Sequence, residues 1–92
     1  MKTYDLSKKL KNLEGNESNK ASEFLSDMIN LTTEGLNVVK AYGWAEQLKK
    51  EGKLSIDDSD LEKILKPFIE NNKGAALFVK AQLLERFKEA KK

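Results

Sequence analysis

Apolar residues in this chain return at helical spacing, and that periodicity is the strongest constraint on what it folds into. Ala21, Phe24, Leu25, Met28, Ile29, Leu31 and Thr32 form one continuous stripe, with Ser22, Glu23, Ser26, Asp27 and Asn30 on the opposite side. Residues at i, i+3, i+4 and i+7 share a helix face, so the stripe predicts an amphipathic helix from a cap at Ser18 to about Thr33. Val38, Ala41, Trp44, Ala45 and Leu48 make a second stripe, turned away from the first. One unbroken helix over both would run to roughly 50 Å at about 1.5 Å per residue, too long for a compact domain of this size. The phase change therefore predicts a break at Thr33-Glu34-Gly35, with Gly43 as the alternative hinge. The second helix is expected to stop at Gly52 in a left-handed cap that Leu54 contacts.

The sharpest local signal follows. Asp57 reads as an N-cap, with Asp58, Ser59 and Asp60 in the positively polarised first turn and Ile56 and Leu61 as a hydrophobic staple. Leu61, Ile64, Leu65, Phe68 and Ile69 have core spacing, and Pro67 is expected to kink this helix or end it one turn early. Residues 71–74 (Asn-Asn-Lys-Gly) read as a turn. A last helix is expected from about Ala75 to Ala90, its broad apolar arc formed by Ala76, Leu77, Val79, Ala81, Leu83, Leu84 and Phe87. Phe78 falls off that arc, beside Gln82, Glu85 and Glu89. At the other end Leu6, Leu10 and Leu13 sit at i, i+4 and i+7, which predicts a short helix capped by Thr3 or Asp5 and ended by Gly15. No strand-like alternation appears, while helical spacing recurs throughout. The predicted fold is all-α, a single helical domain over residues 1–92 built as a compact bundle of four main helices with a short extra N-terminal helix.

The chemistry such a chain can carry is narrow. It has no cysteine and no histidine, which removes disulfide frameworks, thiolate zinc sites, histidine-based triads and histidine pH switches together. The run Asp57-Asp58-Ser59-Asp60-Leu61-Glu62 superficially matches a calcium loop, but Lys63 stands where the sharp turn needs glycine, and capping accounts for every acid. The pairs Asp58/Glu62 and Glu85/Glu89 lie one turn apart on polar faces, without the pocket that acid–base catalysis requires. No glycine-rich phosphate loop is present. The expectation is that the protein is no enzyme and has no catalytic, cofactor-binding or metal-binding residue and no cofactor.

Lysine is the remaining theme. Arg86 is the one arginine among 17 basic residues, a bias typical of AT-rich coding DNA, and so of a low-GC bacterium or its phages and plasmids. Three lysine clusters (Lys8, Lys9 and Lys11; Lys49, Lys50 and Lys53; Lys88, Lys91 and Lys92) would make a phosphate-binding patch if folding joined two of them. Interleaved acids and a net charge of +2 favour ordinary solvated faces instead. The chain opens with charged sequence, shows no signal peptide and has no apolar run near the roughly 20 residues of a membrane span, so it is expected to be cytoplasmic.

What is left is recognition of another macromolecule. Phe78, Trp44 and Tyr42 are the aromatics least clearly assigned to the core, and Gln82 lies beside Phe78. These four are the candidate partner-binding residues, since interfaces are enriched in aromatics. Core packing is the competing role for each aromatic, above all Trp44 and Tyr42. Gly35 and Gly43 would let another helix approach closely. The expected function is that of a small non-enzymatic protein-binding module of inhibitor, immunity or adaptor type. Its partner would be another protein, a second copy of the chain included, and a nucleic-acid-binding accessory protein is the alternative. In size, lysine content and helical build the chain is similar to bacteriocin immunity proteins and small phage accessory proteins. No motif carries that likeness, so no residue role is taken from it.

Overall fold

Short apolar–polar alternations at Thr3-Tyr4-Asp5-Leu6 and Lys53-Leu54-Ser55-Ile56 put apolar side chains on one side at every second residue, the period of a pleated strand. The computed structural model, which describes residues 1–32 and 35–88, turns both into strands. In chain order the elements are β1 (Lys2–Asp5), β2 (Lys9–Lys11), β3 (Glu17–Lys20), α1 (Ala21–Leu31), α2 (Val38–Glu51) and β4 (Lys53–Ile56). A helical segment over residues 58–71 follows, made of α3 (Asp58–Asp60), a π-helical stretch (Leu61–Leu65) and α4 (Lys66–Asn71); α5 (Leu77–Arg86) comes last. β1 pairs antiparallel with β4, Tyr4 opposite Leu54 and Lys2 opposite Ile56, and β2 pairs antiparallel with β3. The fold is therefore α+β, with four helical segments and two small sheets among the described residues, and the all-α bundle is corrected.

The reason lies at the N-terminus. Leu6 and Leu10 are fully buried, but Leu13, the third residue of the expected helical face, is 85% exposed at the tip of the β2–β3 turn. Such a short stretch gains little from helix formation, because nucleation is unfavourable. Its backbone instead completes its neighbours. Leu6 N–H donates to the Gly52 carbonyl at 2.8 Å, while the Leu6 and Lys8 carbonyls accept from Ser22 and Ala21 N–H at 2.8 and 3.0 Å. Those two donors are orphans at the start of α1. Main-chain carbonyls thus serve the helix end where a Ser18 cap was expected; Ser18 lies in β3 and α1 starts with no side-chain cap.

Thr33 and Glu34 lie outside the described residues. α1 ends before them at Leu31 and α2 starts after them at Val38, its Asn37 side chain accepting from Lys40 N–H at 3.1 Å, while Gly43 sits within α2. Gly52 closes α2 in the left-handed region at φ 67°, as its position at the helix end predicts. A Cβ there would meet the Ser7 Cβ at 3.2 Å, so the extension of β1 would have to give by a few tenths of an ångström to admit a side chain.

Pro67 does not end its helix. The π-helical stretch comes just before it, with Lys66 N–H donating to the Leu61 carbonyl five residues back, and the chain stays helical to Asn71. A widened turn placed ahead of the ring lets the helix pass a residue that has no N–H and crowds the preceding turn. Asp57 holds the N-cap position, but its carboxylate makes no cap hydrogen bond. Leu61, Leu65, Phe68 and Ile69 are buried and join Tyr4, Leu25, Ile29, Trp44, Leu48, Leu54, Leu83 and Phe87 in one core, where Tyr4 and Phe87 meet edge to face at 5.1 Å.

Candidate functional site

The apolar face of α5 is rotated from the one its sequence suggests. Val79, Leu83 and Phe87 are buried and Phe78 is half-buried, whereas Leu77 is 73% exposed. The Phe78 ring stands edge-on to Phe24 of α1, centroids 6.3 Å apart. On α1, Ala21, Leu25, Met28 and Ile29 are buried in the core, and Met28 also lines, with Phe24 and Leu31 at i, i+4 and i+7, the flank toward α5. Between the two helices lies an open groove of about 560 Å³, lined by Phe24, Met28, Leu31, Phe78 and Val79 together with Ser18 and Asn19 of β3. Leu31, 82% exposed, forms part of its rim.

A second groove of about 520 Å³ continues from it. Thr32, Asn72 and Gly74 line both, and beyond them lie Lys63, Ile64, Pro67, Phe68 and Lys73. The seam is fixed by Asn72, which is buried and accepts a hydrogen bond from Gly74 N–H through Oδ1 at 2.9 Å. This local turn satisfies an asparagine side chain that would otherwise be buried at a loss.

The structure does not gather the four sequence candidates. Phe78 lines the groove. Gln82, one turn on, faces the sheet: its Oε1 accepts from Lys11 N–H at 3.0 Å and its Nε2 donates to the Lys11 carbonyl, so the amide occupies the outer edge of β2. Trp44 is buried in the core. Tyr42 is 68% exposed and stands with Val38 and Val39 on the outer side of α2. A Cβ at Gly35 or Gly43 would meet nothing within 4 Å, so no described helix packs on either. Sequence reasoning placed Phe24, Met28 and Leu31 in the core stripe; Met28 is buried there and Phe24 packs against it, while Leu31 is exposed on the groove rim. The signal for the groove was the width of that stripe, whose row of Phe24, Met28 and Leu31 at i, i+4 and i+7 runs from the core edge out to the rim.

The charged candidates fall apart in space. Asp58 pairs with Lys2 at 3.6 Å, Asp60 with Lys40 at 3.2 Å and Glu62 with Lys66 at 2.6 Å; Glu89 lies outside the described residues. No group of three or more acids that could hold a metal occurs among the described residues. Within the second lysine cluster Lys49 pairs with Asp27 and Lys50 with Glu46, and Lys53 lies across the ladder from Asp5. The first is different. Lys9 stands directly opposite Lys20, with Lys8 and Lys11 exposed nearby, and none of the four forms an ion pair among the described residues. Lys91 and Lys92 of the third lie outside the described residues. No described helix is long and apolar enough to cross a membrane. Comparison with known protein families, curated proteins and solved structures returned no match.

Proposed function

We propose that this chain is a small non-enzymatic protein-binding module, of the inhibitor, immunity or adaptor kind, and that it holds its partner in the groove between α1 and α5. The observation carrying this is a row of large apolar side chains, Phe24, Met28, Leu31 and Phe78, that meets across an open trough on a domain with few such residues to spare. Small domains need most of their apolar residues for packing. Here Met28 is buried and Phe24 and Phe78 are half-buried against the core, so Leu31 on the rim is the large hydrophobe of this row left to solvent. Exposed apolar surface beside a cleft marks interaction sites. Aromatic anchors in a concave site are what interface hot spots are made of. The test is affinity capture from a lysate of the source organism with three baits: wild type, Leu31→Asp in the groove rim and Val39→Asp on α2. A partner retained by wild type and Val39→Asp but lost with Leu31→Asp supports the reading. Loss with Val39→Asp alone moves the interface to the Val38–Tyr42 side of α2.

A second reading, a nucleic-acid-binding accessory protein, is favoured by the basic ribbon at Lys8, Lys9, Lys11 and Lys20. Like charges directly opposed across strands are unfavourable, and a polyanion would relieve them. Arginine, the preferred base reader, is missing there. Any binding is therefore expected to be weak and lost at physiological salt. A fluorescence titration giving sub-micromolar affinity at that salt would promote this reading above the first.

A further inference from the structure

Resting on the groove reading, we infer the chemistry of the partner segment: an apolar side chain followed closely by carboxylates, laid from the α1–α5 groove across the 71–74 turn. The argument is one of charge complementarity. Among the described residues lining the two joined grooves, the cations are Lys63, beyond the turn, and Lys73, within it, and the one anion is Asp27, on the α1 side. Neighbouring lysines are engaged: Lys66 pairs with Glu62, Lys80 donates to the Glu70 carbonyl at 3.3 Å, and Asp27 itself is held by Lys49. Lys63 and Lys73 are exposed and form no ion pair among the described residues.

The trough is thus polarised along its length, apolar at Phe24 and Phe78 and basic at Lys63 and Lys73. Its α1 wall alone, from Phe24 to Leu31, runs for about 10 Å at helical rise, which suits an extended chain better than a compact ligand. Lysine ammonium groups act as point charges that accept single carboxylates, whereas bidentate phosphate clamps favour arginine. Arg86, the one arginine, lines neither groove. Carboxylates of a protein partner are therefore the anions assigned.

The experiment compares two fluorescein-labelled synthetic peptides, each with a Leu-Phe pair, one followed by a run of aspartates and the other by lysines. Anisotropy titrations at low salt are paired with ¹⁵N amide shift mapping on the intact protein. The aspartate peptide is expected to bind at least roughly tenfold more tightly than the lysine peptide, a gap set by two exposed ion pairs. Shifts are expected at Lys63, Asn72, Gly74 and Phe78. The preference should shrink with added salt and vanish in Lys63→Glu/Lys73→Glu, with circular dichroism confirming that this variant is folded. Equal binding of both peptides, with shifts still in the groove, overturns the charge inference and leaves the groove reading standing. If neither peptide shifts groove amides at millimolar concentration, or if the shifts appear at Lys9 and Lys20, the groove reading falls with it.

Discussion

Gly52 shows how much one residue can settle. It ends α2 with a positive φ and leaves room for Ser7, both of which rest on its having no side chain, while its carbonyl accepts from Leu6 N–H. Gly52→Ala is expected to destabilise by more than about 1 kcal/mol, from the left-handed backbone and the close approach together. Urea melts measure it. The same melts should separate Leu61 from Asp57. Leu61→Ala opens a cavity in the core and is expected to cost about 2–5 kcal/mol. Asp57→Ala removes no cap hydrogen bond, so its effect should stay within about 0.5 kcal/mol, as for an ordinary surface site. The position of Asp57 was legible from its neighbours. The missing bond was not, because capping depends on side-chain geometry that a sequence pattern does not carry.

Among the elements, strands are where helical reasoning failed, and for a definable reason. β1 and β4 contribute only Tyr4, Leu54 and Ile56 to the core, with Leu6 just beyond, too short an alternation to stand against longer helical stripes. They also pair across α1 and α2, a relation no local window contains. The longer helices read better, since α2 ends at its glycine and the Leu61–Ile69 spacing is buried. The face of α5 was misread because Leu77 and Phe78 are adjacent and either could lead the arc; packing on Phe24 decides it. Gln82 matters at this scale too. Its amide completes the outer edge of β2, as Gln47 does for β4 by accepting from Ser55 N–H at 2.9 Å. Strand edges left bare invite pairing with other chains. Gln82→Ala is expected to lower stability by about 1–3 kcal/mol for two lost hydrogen bonds. It should also speed hydrogen exchange at Lys11, and an unchanged Lys11 amide would show that the edge is held by something else.

Over the whole molecule, N-terminal strand, central helices and C-terminal helix close on one core, and the groove is what remains open where α1, α5 and the 71–74 turn converge. Its components were visible in the sequence as separate hydrophobes; their convergence was not, since it requires the phase of α5 and the direction of α1. A chemical-shift map should find extended backbone at residues 2–5, 9–11, 17–20 and 53–56, which an all-helical chain would not give. The most direct test of the central claim is hydrogen–deuterium exchange on the complex with the captured partner. Slowed exchange is expected at residues 24–32 and 74–79, the two sides of the groove. Protection confined to residues 38–42 of α2, or to the lysine ribbon at residues 8–20, would contradict it.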